Sequence, residues 1–395
     1  MAAPPLGSQG ALFLKKESSY GADPTLAATN AMRFIELDQN QWNPFNRVSS
    51  PEHKSGAGVF DRMNRKSSGV FGIAKSWVRP SQTLNTLPEA DPVFEAGFGA
   101  VTNRTNSSTV QASPTPTASV FTIGAGAVAA AGYVVGDAVL VAVTGETKSP
   151  FVRWISAIST DQLTVEPDLP AAPASGDAVK GCITCKLTDL NAISLYGAHN
   201  QVGGDDRVWE GINVDRLRFI FDQNEEPAFN CSGMVKRQIT TGHADFPSIP
   251  ASSTFVGTAQ PPSGTVGEMW IDNTVYKFMH AEAELTNKLK VRNMEYGEGV
   301  PTESYRAGKR AISVSVNSFT DVPATLYDKS EAGSYVQMLI QTGITEGNIV
   351  ALYTPRVDFN VPGQTDPENE AEWGFNGVGL ESVFDQGDEI SLALA

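Results

Sequence analysis

Short runs in which apolar and polar residues alternate recur along the chain and predict β-strands. Residues 311–316 alternate with a period of two, and residues 214–221 alternate before becoming continuously apolar. Alternation of this kind places one face of a strand against a core and the other toward solvent. Further strand candidates lie at residues 70–78, 269–278, 348–353 and 390–394. The pattern predicts a mainly β fold.

Two segments favour helices. Residues 84–98 form a helix-like apolar run. Residues 326–342 place Tyr335, Met338 and Leu339 at spacings of three and four, with Gly343 where a helix C-cap would stand. The apolar stretch 121–136 is shorter than the ~20 residues of a membrane helix, and its glycines favour two strands and a turn.

Shifts in composition divide the chain. Residues 103–119 and 169–181 are rich in Ser, Thr, Pro, Ala and Gly, which is typical of linkers. Four evenly spaced apolar runs lie between them, at residues 133–135, 138–143, 151–158 and 163–165. We therefore predict an inserted small β-barrel domain at 116–183. It would interrupt a main domain made of 1–115, which includes an N-terminal arm, and 184–395.

Two segments without clear periodicity are expected to make contacts. Residues 1–60 are punctuated by Pro and look like an extended arm, and residues 242–267 form a long loop rich in Pro, Ser and Thr. Backbone polar groups in such segments need partners, so each must lie on its own chain or on a neighbour. We expect one of them to bridge to another copy. Deletion of residues 1–20 would test this for the arm.

The charge balance excludes one class of function. The net charge is −15, whereas binding to nucleic-acid phosphates needs clustered Lys and Arg. Residues 1–104 carry 11 basic and 9 acidic side chains, while residues 357–395 carry nine acids and neither Lys nor Arg. The acidic end is either a solvated surface, or a face that meets a complementary one or turns toward a DNA channel.

The residues offer no catalytic, cofactor-binding or metal-binding constellation. The four histidines are dispersed, and the Cys182–Cys185 pair lacks the second pair that a zinc site needs. With Cys231 these residues are interpreted as free structural thiols. The acid pairs Asp205–Asp206 and Glu225–Glu226, and the acidic run 366–373, are interpreted as loops.

A weak internal similarity leaves two explanations open. Residues 211–226 and 308–321 both combine a Gly, basic residues and a strand, and both end near an Asn and an acid. Duplication and coincidence both account for it.

Several motifs, in their order, resemble phage tail tube proteins. The segment 17–34 carries Glu17, Tyr20, Gly21, Asp23, Pro24 and Thr25 where that family begins with an E-x-x-Y-G-T-D-P-T pattern. Residues 135–179 resemble the module inserted in some larger members. Residues 209–234 and 351–394 resemble a central strand with its acidic turn and the closing pair of strands.

This resemblance implies a non-enzymatic virion protein with a β-sandwich or barrel and a flanking α-helix. It implies six subunits in each ring, head-to-tail stacking of rings, and passage of the genome through the bore without specific binding. It also implies tail terminator, tape measure and distal tail proteins as partners, assembly in the host cytoplasm and no membrane insertion. We further expect an acidic bore, and an insert that points outward and can be removed.

Two other functions remain open. An adhesin or decoration protein would bind host glycan through the insert, whose aromatic residues are few: Phe121, Tyr133, Phe151 and Trp154. A glycan hydrolase would need a catalytic pair that the sequence does not offer.

Overall fold

The computed structural model describes most of the chain, in the residue ranges 10–38, 40, 42–43, 46–49, 62–65, 67–188, 193–201, 205–223, 225–257, 260–293, 295–319, 324–362, 372–383 and 387–395. The fold of these residues is mainly β, as the alternating pattern predicts. Before the insert, the strands and helix are β1 Ala11–Lys16, β2 Ala31–Met32, β3 Glu36–Leu37, β4 Trp42–Asn43, β5 Asn46–Ser49, β6 Arg62–Arg65, β7 Ser68–Trp77, α1 Asp91–Phe98 and β8 Gly99–Asn103.

Residues 107–181 form a separate six-stranded sheet, called here the small sheet. Its elements are β9 Ser107–Thr109, β10 Val120–Thr122, α2 Ala127–Ala131, β11 Ala138–Val141, β12 Phe151–Ser159, β13 Gln162–Glu166 and β14 Ala178–Gly181. The strand order is β10-β13-β12-β11-β14-β9. The small sheet therefore begins before residue 116, and the predicted domain boundaries stay a prediction.

The rest of the chain contains β15 Ile183–Leu187, β16 Ser194–Asn200, β17 Arg207–Asp222, β18 Ala228–Met234, β19 Arg237–Thr240, β20 Glu268–Ile271, β21 Thr274–Tyr276, β22 His280–Thr286, β23 Leu289–Arg292, β24 Glu303–Arg306, β25 Ala311–Phe319, α3 Ala324–Glu331, β26 Val336–Thr342, β27 Val350–Phe359, β28 Glu372–Leu380 and β29 Ser391–Leu394. Strands β5–β6 and β23–β24 are isolated hairpins. The remaining strands outside the small sheet join in one antiparallel network.

Two long strands hold this network together, because each runs through two sheets. The first half of β17 pairs with β16 and β19, and its second half pairs with β18 and β22. The first half of β27 pairs with β26 and β29, and its end pairs with β28. The main core lies between the two sets of strands. There α1 buries Phe94, whose ring lies 5.2 Å from that of Phe229 and 5.9 Å from that of Phe219.

The helix predicted at 326–342 is wrong in its second half. Helix α3 ends at Glu331, and Val336–Thr342 is strand β26. Met338 and Leu339 are both fully buried because the two faces of β26 are covered, one by the main core and one by the small sheet. A short apolar run that is buried on both faces has no period that separates strand from helix.

Two other local predictions need correction. In the 121–136 stretch the second predicted strand is replaced by the short helix α2, and residues 133–135 form no strand. The helix expected at 84–98 covers only Asp91–Phe98. Of the predicted arm, residues 11–16 lie on their own chain, which is one of the two placements expected, since β1 pairs with β16 and buries Leu12, Phe13 and Leu14. Residues 1–9 and 50–61 lie outside the described residues.

Candidate assembly and channel surfaces

One face of the main sheet is polar, and it is called here the polar sheet face. Strands β17, β22, β25 and β28 alternate, so apolar side chains such as Phe219, Ala283 and Val314 are buried while their neighbours point outward. The outward residues include the polar side chains Arg216, Arg218, Asp222, His280, Glu282, Glu284, Ser313, Ser315, Asn317 and Asn376 and the apolar Ile220 and Val378. The register places Ser315 beside both Glu282 and Asn376, so the face is continuous across strands.

The charged half of this face is internally paired. Arg216 donates to Glu284 through Nε at 3.0 Å and Nη2 at 2.5 Å, and Arg218 donates to Glu282. The hydrogen bond to Glu284 raises the pKa of Arg216. His280 Nδ1 lies 2.5 Å from a carboxylate oxygen of Asp222. Two arginines thus face three carboxylates, and each Arg–Glu pair joins β17 to β22.

The other half of the face is small and uncharged. Ser313, Ser315 and Asn317 on β25 lie beside Gly374, Asn376 and Val378 on β28. These side chains form a surface without charge of its own. The register also places the exposed Asp358 of β27 beside Val378 on this face, so four carboxylates stand against two arginines. The acidic bore stays a prediction. Of the acidic C-terminal end, residues 363–371 lie outside the described part, and Asp358 is exposed on β27.

The loop at 242–267 lies against its own chain in its described residues. Phe246, Ile249 and Phe255 pack on a small core formed by β1, β16 and β17. Thr254 N donates to Ala28 O at 2.9 Å, and the guanidinium of Arg33 lies 4.6 Å from the Phe255 ring centre. The loop covers this face of the sheet, so its apolar residues pack within the chain and need no contact with another copy.

The small sheet covers a different part of the main sheet, namely β20, β26 and β27. The Trp154 ring stacks on Tyr353 with centres 4.9 Å apart, and Val152 N donates to Gln341 Oε1 at 2.8 Å. Arg153 is fully buried here, 4.5 Å from the Trp270 ring centre, and burial lowers its pKa to about 9. These contacts form one shared apolar core. Removal of the insert would expose that core, which argues against the expectation that it is dispensable.

The aromatic residues proposed for a glycan platform are all inside. Phe121, Tyr133, Phe151 and Trp154 are at most 6% exposed. A sugar-binding platform needs exposed rings, so these residues do not support an adhesin.

The motif that begins at Glu17 has a structural role near Gly211 of β17. Glu17 is buried, and its carboxylate accepts hydrogen bonds from Gly21 N at 2.8 Å and Gly211 N at 2.7 Å. Both glycines have positive φ, at 74° and 63°. A side chain at Gly211 would meet the ring of Tyr20. The motif thus locks the turn after β1 onto the centre of β17.

The remaining chemical candidates are dispersed. Cys182, Cys185 and Cys231 are buried free thiols, and burial raises the pKa of each, that of Cys231 to about 12. Among the described residues, no three His, Cys, Asp or Glu side chains are grouped so that they could hold a metal ion. None of the helices that the structure describes has the length and apolarity to cross a membrane.

Sequence reasoning missed the polar sheet face. Its signal was present in residues 280–286, HAEAELT, where acids alternate with apolar residues. The arginines that pair with these acids come from β17, more than 60 residues earlier. Such non-local pairing is not visible in a local pattern.

Comparison with known proteins gives one result that covers most of the chain. A family model with the description phage tail tube protein matches residues 7–377. No curated protein matches the chain.

Proposed function

This chain belongs to the family of phage tail tube proteins, structural components of the virion tail, and from that premise we propose how it builds the tube. Copies close into rings, the rings stack head-to-tail, and the viral DNA passes through the bore. Open sheet edges favour such an assembly, because ring closure satisfies their unpaired N–H and C=O groups. A head-to-tail contact between unlike faces propagates as a filament.

The polar sheet face is the surface that we assign to the bore, and it is the observation that carries this proposal. DNA carries one negative charge per ~1.7 Å of its axis and binds clustered Lys and Arg. On this face Arg216 and Arg218 are each paired with a glutamate, so they are not free to hold phosphates. Ser313, Ser315 and Asn317 add a small uncharged surface. DNA would slide along such a wall without being retained.

The test adds positive charge without breaking an ion pair. Asn376 is exposed and uncharged and pairs with Ser315, so strand β25 separates it from the glutamates of β22. Asn376→Lys therefore places a new cation on the face while Arg216 and Arg218 keep their partners. We expect virions with this variant to form tubes of normal length and to release DNA more slowly. The delay should shrink as salt rises, because added salt weakens phosphate contacts.

Asn376→Gln is the matched control, since it lengthens the side chain at the same position without adding charge. It should release DNA at the wild-type rate. Equal release by the Lys and Gln variants at low salt would show that this face does not line the bore.

Other parts of the assembly remain proposals of the same kind. From membership of the family we also propose sixfold rings, contacts with tail terminator, tape measure and distal tail proteins, and assembly in the host cytoplasm. The family is structural, which fits a protein without catalytic activity.

A further inference from the structure

The chain contains the same set of elements twice, in the same order. The first set, called here module A, is β1–β7, α1 and β16–β19. The second set, module B, is β20–β25, α3 and β26–β29. Strands β8–β15, including the small sheet, stand between α1 and β16 and have no counterpart between α3 and β26.

The strand pairings of the two modules also correspond. In module A, β1 pairs with β2 and β16, β17 pairs with β16, β18 and β19, and β7 pairs with β18, β3 and β4. In module B, β20 pairs with β21 and β26, β27 pairs with β26, β28 and β29, and β25 pairs with β28 and β22. Hairpin β5–β6 precedes β7 as hairpin β23–β24 precedes β25.

An irregularity in register fixes the alignment to single residues. Leu195 pairs with Ile212 and Gly197 with Trp209, so one residue of β16 faces two of β17. Likewise, Val336 pairs with Val357 and Met338 with Thr354, so one residue of β26 faces two of β27. A bulge of this kind is a specific local feature. Its recurrence makes Ile212 equivalent to Val357, and therefore Asn213 equivalent to Asp358.

Two glycines confirm this alignment. Gly233 pairs with Val214, and Gly377 pairs with Phe359, which are equivalent by the count above. A Cβ at Gly233 would lie 1.5 Å from Asn213 O, and one at Gly377 would lie 2.7 Å from Asp358 O. Both positions exclude a side chain because the same neighbouring carbonyl approaches them.

The outer face of each module is covered by a different segment. In module A, Phe13, Ala198 and Val208 lie under the loop that carries Phe246 and Phe255. Their equivalents in module B, Trp270, Leu339 and Tyr353, lie under the small sheet. The side chains differ because the covers differ, which hides the repeat in the sequence. The similarity noted between 211–226 and 308–321 compares β17 with β25, which are not equivalent strands.

Modules A and B meet through one sheet junction inside the chain. The second half of β17 pairs with β22, with Arg216 opposite Thr286 and Asp222 opposite His280. The two Arg–Glu pairs of the polar sheet face reinforce it. Both halves of this junction have a second copy in the chain, because β27 is equivalent to β17, and β3–β4 to β22.

In the described residues these second copies, β3–β4 and the end of β27, each have one edge that pairs with no strand. Strands β3 and β4 pair with β7 alone, whereas β22 pairs with β25 on one side and with β17 on the other. Past Val357, β27 pairs with β28 alone. Asn360 and Asn43 are exposed at these two edges. One chain therefore offers both sides of a junction that it has already formed once.

We propose that the open end of β27 in one chain pairs with β3–β4 of the next chain, repeating the internal β17–β22 junction. Each chain then supplies two tube modules, and a ring of six modules contains three chains. This inference rests on the proposed function, since it assumes that rings close. The expected sixfold ring would then consist of six modules from three chains, and not of six chains.

The internal junction also gives the register between chains. Arg216 pairs with Ser232, the residue before Gly233, across a register shift at Asp215. Asn360 N donates to the O of Asn376, the residue before Gly377, at 2.8 Å, so Asn360 is the counterpart of Arg216. Asn43 pairs with Ser68 of β7 as Thr286 pairs with Ala311 of β25. Because Arg216 faces Thr286, Asn360 should face Asn43 of the neighbouring copy. Facing Cα atoms of antiparallel strands are ~4.5–5.5 Å apart, within the range of a disulfide.

The experiment is a double variant, Asn360→Cys with Asn43→Cys, oxidised after assembly and run on a non-reducing gel. The native thiols are buried, so background cross-linking should be low. We expect a covalent ladder that ends at three chains. The control is Asn360→Cys with Val134→Cys, in which the second cysteine is also exposed but lies between strands of the small sheet; it should give no ladder.

The outcomes separate the two proposals. Rings that assemble without cross-links in the Asn360–Asn43 pair would overturn the junction, and a ladder that ends at six chains would overturn the count. If unmodified protein forms no rings under the same conditions, the proposed function itself fails. Each single Cys variant must assemble like the wild type, which excludes damage to the fold as the cause.

Discussion

The equivalent glycines offer a sharp stability test, because the strand that contains Gly377 also contains a tolerant glycine. In Gly377→Ala the new Cβ would lie 2.7 Å from Asp358 O, 2.8 Å from Phe359 Cδ1 and 3.0 Å from Val357 Cγ1. In Gly374→Ala the nearest atom, Asn317 Oδ1, is 3.5 Å away. Both residues lie in β28, so the comparison separates crowding from strand propensity.

The expected magnitudes follow from these distances. Crowding in a packed site costs ~1–3 kcal/mol, since β27 must shift to admit the methyl group. Replacing a strand Gly by Ala without crowding stabilises by ~0.5–1 kcal/mol. Both variants gain this second term, so it cancels, and Gly377→Ala should be less stable than Gly374→Ala by ~1–3 kcal/mol. Gly233→Ala should be at least as damaging as Gly377→Ala, because its Cβ would lie only 1.5 Å from a carbonyl oxygen.

Denaturant unfolding of the unassembled protein, followed by tryptophan fluorescence and circular dichroism, measures these differences. Electron microscopy of assembled samples then shows whether the unstable variants still form tubes. Equal unfolding midpoints for Gly377→Ala and Gly374→Ala would refute the close approach of β27 and β28, and with it the residue-level alignment of the modules.

Four further predictions follow from single contacts. Trp154→Ala removes the ring that stacks on Tyr353 and should lower the free energy of unfolding by ~3–5 kcal/mol, measured by denaturant melts. Replacing residues 107–181 by a short linker should cause aggregation, measured by light scattering, because Trp270, Leu339 and Tyr353 lose their cover. Burial and the nearby Asp23 raise the pKa of Glu210 to about 7 from an ordinary 4.5, so the folded protein holds this proton more tightly than the unfolded chain. The stability that this raised pKa contributes is complete below pH 4.5 and is lost as the pH rises through 7. Glu210→Gln should reduce that loss by ~2–3 kcal/mol, which melting temperatures at pH 5 and pH 8 measure. Glu146→Gln, at an exposed site, should leave the loss unchanged. Thiol reagents should label Cys182, Cys185 and Cys231 only on unfolding, as counted by mass spectrometry.

Strands with one solvent-facing side could be predicted from the sequence. The runs at 214–221 and 311–316 alternate because one face of β17 and β25 is buried and the other is polar. Strand β26 was misread because both of its faces are covered, one by the core and one by the small sheet. The deciding information in that case lies in tertiary packing, and no local pattern contains it.

The repeat and the polar sheet face depend on contacts between distant residues. Phe13 and Trp270 are equivalent, but their sizes suit different covers, so sequence comparison sees no match. The segment from β8 to β15 further separates the two parts of module A. The alternation in 280–286 predicts an outward row of acids, whereas their arginine partners are set by the register between β17 and β22.

The central claim is that each chain supplies two of the six modules around the bore, so that three chains complete a ring. End-on electron cryomicroscopy of concentrated, assembled protein tests it most directly. We expect a hollow ring with six similar lobes, three of which carry the extra density of the small sheet. A protein that stays monomeric at high concentration, or a ring in which every lobe carries that density, would contradict the account.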